Sequence, residues 1–523
     1  MKNLIYIVLI GMVVMTTACS DSDFLEEIPK DSISPANFYK SAEDAEAAVN
    51  GAYTTLQDNA YYSRYWVTSS THASDGSFIR LGTSSDRRPP IQFNDLALIT
   101  SGRYNISIWS AIWQAVNRAN SVLDHVPDIE MDATHKARIL GEAKFLRALS
   151  YFNMVRRWGG VPLILTETST SNLVDLQVPR NTADEVYQQI LTDLTEAVAS
   201  LPYIKDYAGD DIGRASKEAA QGMLAKVQLY RKDWVNAKNN ALAVINSPSG
   251  LDLMPDPKDN YWQGGGTADN NIESIFEVQY NGNDPQGHRL GNNFEPRGSG
   301  WGPGAWGSIT GSLYWLNQFE DNDKRKAATW LTERKKASDP TIVIPWQDFV
   351  IPAPHINKHR EPLSKDFQNS NVKVLRFADI LLVAAEAINE SEGPGGAYQY
   401  VNRVRGRADL LDLGGLSQDE LRDAIYLEFR KELCFEGQDY EELVRQGRLL
   451  EQKEAYGTYT LPTLYDGDGN VIIPDQDLID AIDSFQPNLD LYEVEPHNTI
   501  FPIPQDALDK NPNLKQNPGY PGS

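Results

Sequence analysis

The stretch that most constrains this chain is Gly141 to Pro162, GEAKFLRALSYFNMVRRWGGVP. Leu140, Ala143, Leu146, Leu149, Phe152 and Val155 recur at three-residue steps. Phe145, Ala148 and Tyr151 widen that stripe. The spacing predicts a helix whose apolar face is broad enough to bury on two sides. Gly159 and Gly160 are helix-stop residues, and Pro162 bars a return to helix nearby. The small residues Gly141, Ala143 and Ala148 suit close packing between neighbouring helices.

A frame built around such a helix needs length, and 523 residues can bury a sizeable core. The formal net charge of −24 makes a surface that repels phosphate backbones, so nucleic acid is excluded as a partner. The two cysteines, Cys19 and Cys434, support neither a disulfide framework nor a zinc site. Cys434 reads as a small buried apolar residue.

Residues 1–18 follow the grammar of an export signal: Lys2, the apolar run Leu4–Met15, then Thr16, Thr17 and Ala18 before Cys19. The run is too short to span a bilayer comfortably as a helix. Residues 19–40 read as a polar tether and an extended arm, since Pro29 and Pro35 disfavour helix before them.

Residues 41–250 are mostly helical by pattern. Ser41 with Asp44 marks one helix start, and helices are expected over Ile106–Val126, Thr182–Leu201, Ala215–Tyr230 and Trp234–Ile245. The last two form a pair across Arg231-Lys232-Asp233, with small and large residues placed as in tetratricopeptide helices. Such a unit cannot bury its apolar face alone, so several must stack. Residues 59–106 lose helical period and hold Tyr65, Trp66, Asp75 and Arg80. A long irregular run of this kind is usually functional.

Residues 251–372 are rich in glycine and proline, with a strand expected within Ile272–Val278. Trp301 and Trp306 stand among glycines in GHRLGNNFEPRGSGWGPGAWGSITGSLYW. Rings so placed either lie exposed, where sugar C–H faces can stack on them, or cap the core through irregular loops. His355 and His359 follow prolines and lack the glutamate of a zinc-protease helix. Asp466 to Asn470 resembles the start of a calcium loop, but Val471 stands where glycine is required, so a hairpin turn is expected and no metal is assigned.

Residues 373–523 return to helices over 374–390, Tyr398–Ala408, Gln418–Cys434 and Asp439–Gln446. Glu428, Glu432 and Glu436 are flanked by Arg430, Lys431 and Arg445, which predicts ion pairs locking helices rather than catalytic acids. The tail FPIPQDALDKNPNLKQNPGY is punctuated by proline and expected along the surface.

Gly141–Pro162, FLEEIPKDSISPANFYKSAEDAEAAVNGAY, LEFRKELCFEGQDYEELVRQGRL and the tail together resemble the SusD/RagB family of surface lipoproteins. The resemblance implies a mostly α fold of tetratricopeptide-like pairs with a loop-rich, partly β ligand-binding region. It implies a lipobox at Ala18-Cys19, with Cys19 acylated and the protein held on the outer face of the outer membrane. It further implies a TonB-dependent transporter as partner, no cofactor and no catalysis. Loop position and chemistry select Tyr65, Trp66, Trp301 and Trp306 as a glycan platform, with Asp75, Arg80 and Asn292 as polar partners. Three other readings stay open: a peptide-capturing lid, a glycan hydrolase, and a lid with no ligand of its own.

Overall fold

The computed structural model describes residues 38–78, 93, 96, 98–168, 176–261, 268–282, 286–297, 305–336, 339–349, 353–360, 367–458 and 495–523. Cys19 and the leader, Arg80, Trp301 and the Asp466 turn lie outside the described residues. Among the described residues no helix is long and apolar enough to cross a membrane.

The scaffold is a run of stacked helices. In the first half these are α1 (Ala42–Thr54), α2 (Tyr65–Ala73), α3 (Arg103–His125), α4 (Ala133–Trp158), α5 (Ala183–Ser200), α6 (Lys217–Tyr230) and α7 (Trp234–Ile245). After the short α8 (Leu290–Phe294) come α9 (Phe377–Glu392), α10 (Tyr398–Arg407), α11 (Gln418–Leu433) and α12 (Asp439–Arg445). Neighbours in sequence pack in space from α3 through α7, then α7 on α9 and α9 on α10 and α11. This is the mostly α, tetratricopeptide-like stacking expected. Starts are set by local chemistry: Ser41, Thr182 and Ser417 each make a reciprocal capping box with the acid three residues on.

The α4 helix is buried more completely than its stripe predicts. From Phe145 to Val155 even Arg147, Ser150 and Asn153 are buried. Each is satisfied. Arg147 makes a two-pronged pair with Asp193 at 2.8 and 2.7 Å, and Asn153 donates to the Tyr61 and Tyr62 hydroxyls. Gly141 fits because a Cβ there would meet the Ser200 and Leu201 side chains at 3.0–3.1 Å, so the end of α5 packs directly on the α4 backbone. The helix stops at Gly159, whose φ is +70°. Its open carbonyls are closed from far along the chain. Asn517 and Arg180 donate to the Trp158 oxygen, and the Phe501 amide donates to the Arg157 oxygen. The tail is thus stitched into the fold.

The acids of the C-terminal part are structural, as expected, but their partners come from further away. Arg376 is buried against Glu273, Glu432 and Glu436, while Arg325 joins Asp323 to Glu428 and Glu432. Arg376 and Lys358 hold the Glu436 carboxyl down to about 2 against the penalty of burial. Lys226 pairs with Asp379 at 2.7 Å and Arg445 with Glu386 at 2.6 Å, so stacked helices are pinned by ions as well as packed. Cys434 is buried and its thiol is pushed up to about 12 by that burial.

Four antiparallel strand pairs accompany the helices. They are β1 (Ser77–Phe78) with β3 (Thr310–Gly311), β2 (Ser274–Val278) with β8 (Val372–Arg376), β4 (Trp330–Leu331) with β7 (His355–Ile356), and β5 (Glu333–Lys336) with β6 (Asp339–Pro345). The β2 strand is where it was expected. Residues 374–376 are not helical: Val372 and Val374 take them into β8, and α9 starts only at Phe377. The other correction is α2. Its sequence, YWVTSSTHA, is poor in helix formers, and every one of its residues is buried. Tertiary packing, not propensity, makes that helix.

Candidate functional site

The aromatic corner Tyr61 to Trp66 precedes and opens α2. Tyr65 is buried and lies flat on Tyr104, with ring centroids 3.9 Å apart and planes at 16°. Trp66 is buried as well, its indole N–H donating to the Gly437 oxygen at 3.1 Å and its face covered by the Arg157 guanidinium at 3.5 Å. Arg157 in turn is held by Glu441 at 2.7 Å. Asp75 is buried and paired with Arg430, which itself lies 3.9 Å over the Trp315 ring. These three expectations are corrected. Tyr65, Trp66 and Asp75 are buried between helices, the two rings against Tyr104 and Arg157 and one Asp75 oxygen on Arg430, so none lies on an exposed ligand surface.

Trp306 is different: the residue is 36% exposed. Its loop is zipped onto α8. The Trp306 amide donates to the Asn292 oxygen at 2.8 Å and the Ile309 amide to the Asn293 oxygen at 3.1 Å. Arg289, at the start of α8, donates its amide to the Ser63 oxygen at 3.1 Å, which ties this unit to the aromatic corner. Arg64 projects from that corner, with its guanidinium 4.8 Å over the Trp306 ring and 5.3 Å from Tyr65. It donates to the Asn293 side-chain oxygen at 3.3 Å, an acceptor shared with Ser308 at 2.9 Å. A cation on one indole face leaves the other for a partner.

Gly307 makes the turn possible. Its φ is +52°, and a Cβ there would lie 2.8 Å from the Arg297 amide nitrogen and 3.3 Å from His355. His355 hydrogen-bonds the Phe294 oxygen through Nδ1 at 3.0 Å, and burial pushes its imidazole down to about 4, so the ring is neutral and Nδ1 is the donor. Its Nε2 therefore carries a lone pair, and no group among the described residues meets it. Asn292 is fully buried beneath Trp306, and neither end of its side-chain amide has a partner. Its expected place on the surface is corrected, since α8 turns the side chain inward.

Of the seven expected ligand residues, then, Trp306 is the one the described structure exposes, while Arg80 and Trp301 lie outside the described residues. Sequence reasoning missed Arg64 and Asn293. Only the clustering of rings around Arg64 in YYSRYW could have drawn attention to it. His359, like His355, is buried and pushed down to about 4 by burial. No group of three or more His, Cys, Asp or Glu that could hold a metal occurs among the described residues.

Residues 350–520 match the family model described as the SusD family, and residues 23–229 match one described as starch-binding, associating with outer membrane. A SusD-like protein P2 of Formosa agariphila is 28% identical, over 98% of this chain and 99% of the relative. A SusD-like protein of Bacteroides ovatus is 28% identical over 97% of each chain. Among solved structures, a laminarin-binding SusD-like protein superposes with a TM-score of 0.70 at 25% identity, covering 92% of this chain and all of that one. Surface glycan-binding protein A of Bacteroides thetaiotaomicron, in complex with laminarihexaose, has the same fold, with a TM-score of 0.72 at 21% identity over 91% of this chain and all of that one. The helical stack, the ordered sequence segments and these matches agree: the chain belongs to the SusD/RagB family of glycan-binding proteins.

Proposed function

We propose that this protein captures oligo- or polysaccharide on the loop surface around Trp306 and passes it, unaltered, to a TonB-dependent transporter in the outer membrane. The observation that carries the proposal is the exposed Trp306 ring, backed on one face by Arg64 and anchored to a rigid helical frame. Sugar rings offer an apolar C–H face to an indole and hydroxyls to neighbouring polar groups. Trp301, in the same glycine-rich run, is the second ring of the proposed platform, and Arg80 remains a proposed polar partner. A shallow surface of this kind suits capture and release more than tight retention.

One observation supports a role without catalysis. Glu428, Glu432, Glu436 and Glu441, the acids most easily taken for catalytic ones, are buried in ion pairs with arginine or lysine. A glycosidase instead needs two carboxyls facing a cleft across the scissile bond. In the same reading Cys19 is acylated after removal of residues 1–18, and the chains hold the protein to the membrane with its loops outward. Several acyl chains at about 0.8 kcal/mol per buried methylene suffice for a stable anchor.

The test is a glycan array on the purified protein, followed by calorimetry with the strongest ligand found. Trp306→Ala is expected to weaken that ligand with the fold intact. Unchanged affinity in this variant removes Trp306 from the site. Release of shortened glycan during incubation ends the noncatalytic reading.

A further inference from the structure

The uncompensated charges around Trp306 are of one sign. Arg64, with its guanidinium over the ring, donates to the neutral Asn293 side chain. Asn293 donates in turn to the Arg289 carbonyl oxygen at 2.8 Å, so one asparagine of α8 touches both arginines. Arg289 is half-buried. Its Nε is closed off from solvent and has no acceptor, and its guanidinium packs 4.4 Å from the centre of the Phe367 ring. Arg297 is exposed and stands across the Gly307 turn from Trp306. None of the three pairs with an acid among the described residues.

Elsewhere the molecule answers its guanidinium groups internally. Arg147, Arg157, Arg325, Arg376 and Arg445 each hold a buried carboxylate. Arg156 and Arg180 lack an acid but give their N–H groups to protein oxygens. Arg118 is unpaired as well, but Asp124 and Glu167 share its surroundings beside Tyr39. At Trp306 the nearby acid, Glu295, is buried and already taken by Arg360 at 2.5 Å. The run from Gly298 to Trp306 contains no acidic residue. In a chain of net charge −24, a group of unanswered arginines at an exposed ring stands against the general trend. Water does not settle Arg289, because a guanidinium edge withdrawn from solvent without an acceptor costs stability.

We infer that the cargo of this surface is an acidic saccharide, one whose ring lies on Trp306 while its carboxylate or sulfate groups meet Arg64, Arg289 and Arg297. The planar guanidinium fork matches two oxygens of either anion at once. A neutral glycan fits the indole equally well and leaves the cations unanswered. Free phosphate answers the cations and leaves the indole unused. It rests on the capture reading above and adds the charge of what is captured. The acidic body as a whole repels such a polymer, so the arginine patch also steers where it lands.

The test is calorimetry of the purified protein with an oligogalacturonate, a sulfated carrageenan oligosaccharide and neutral laminarihexaose. One of the acidic probes is expected to bind about tenfold or more tightly than the neutral one, and the probe that does so distinguishes carboxylate from sulfate. Its affinity is expected to fall as salt rises from about 50 to 500 mM, a dependence the neutral probe does not share. Arg64→Gln combined with Arg289→Gln is expected to weaken the acidic probe about tenfold and to leave laminarihexaose unchanged. Arg297→Glu, at an exposed position, reverses one charge and gives a second reading that does not depend on how the double variant folds. Acidic probes bound no more tightly than laminarihexaose, or an affinity indifferent to these arginine variants, overturn the acidic cargo. Laminarihexaose binding that is then lost in Trp306→Ala leaves the capture surface standing. Acidic probes held by Trp306→Ala as tightly as by the unchanged protein overturn the capture reading and this inference with it.

Discussion

Trp66 and Trp306 make an instructive pair. Each lies in a ring-rich irregular stretch, and each has an arginine over its face, at 3.5 Å for Trp66 and 4.8 Å for Trp306. Yet Trp66 is 1% exposed and Trp306 36%. The difference lies behind the arginine. Arg157 is fully buried and must be neutralised by Glu441, so the cation, the acid and the indole form a closed internal unit. Arg64 is only half-buried and is held to the neutral Asn293 side chain. A cation over an indole is therefore no sign of a ligand site by itself. What separates the two is whether the cation's charge is answered inside the protein.

Four experiments break or sharpen that contrast, the largest effect first. Replacing Arg376 with Met removes the cation shared by Glu273, Glu432 and Glu436, leaving them Arg407, Arg325 and Lys358 as partners. Removing one partner from a buried ion network costs about 3–5 kcal/mol, read as a loss of stability in urea unfolding. Trp66→Ala opens the space under Arg157 and frees the Gly437 oxygen, with an expected loss of about 3–5 kcal/mol in urea unfolding. A loss below about 1 kcal/mol would place Trp66 with the surface rings after all.

Acid comes next. Burial pushes His72 down to about 3 and His355 and His359 to about 4, from an ordinary 6.5. Groups kept neutral inside contribute stability that is full above 6.5 and is lost as pH falls towards 4. Glu436 extends the loss from 4.5 down to about 2. Asp439, raised to about 7 by burial, runs the other way, because its contribution fades as pH rises from 3.8 to about 7. Three histidines outweigh one aspartate, so the melting temperature is expected to fall steadily below 6.5. A flat profile from 6.5 down to about 4 counts against three buried neutral imidazoles. The smallest structural effect belongs to Trp306→Ala: within about 0.5 kcal/mol in stability, as for surface positions generally. Its glycan affinity is expected to drop by about 0.5–1.5 kcal/mol, the worth of one ring contact.

Much of the scaffold was legible because helices declare themselves through period and caps. The α5, α6 and α7 helices appear within two residues of where spacing puts them, while α4 starts at Ala133, well ahead of the Gly141 stretch that announced it. The α2 helix was not legible, since Ser, Thr and Val carry no helical signal and its burial on all sides leaves no amphipathic stripe. The site was read less well for a related reason. An isolated ring in a loop looks the same whether it faces water or a guanidinium, and that depends on partners such as Gly437, 371 positions away from Trp66.

The stitch between Asn517 and the end of α4 has a temporal consequence. It joins residues 359 positions apart. Contacts of such high order form late, after loop closure has been overcome. A nascent chain thus carries the open end of its central helix through most of its emergence, with Phe501 not yet seated against Trp158. Holding chaperones would find their purchase there, and a slow final folding phase should be set by the docking of this strap rather than by assembly of the helices.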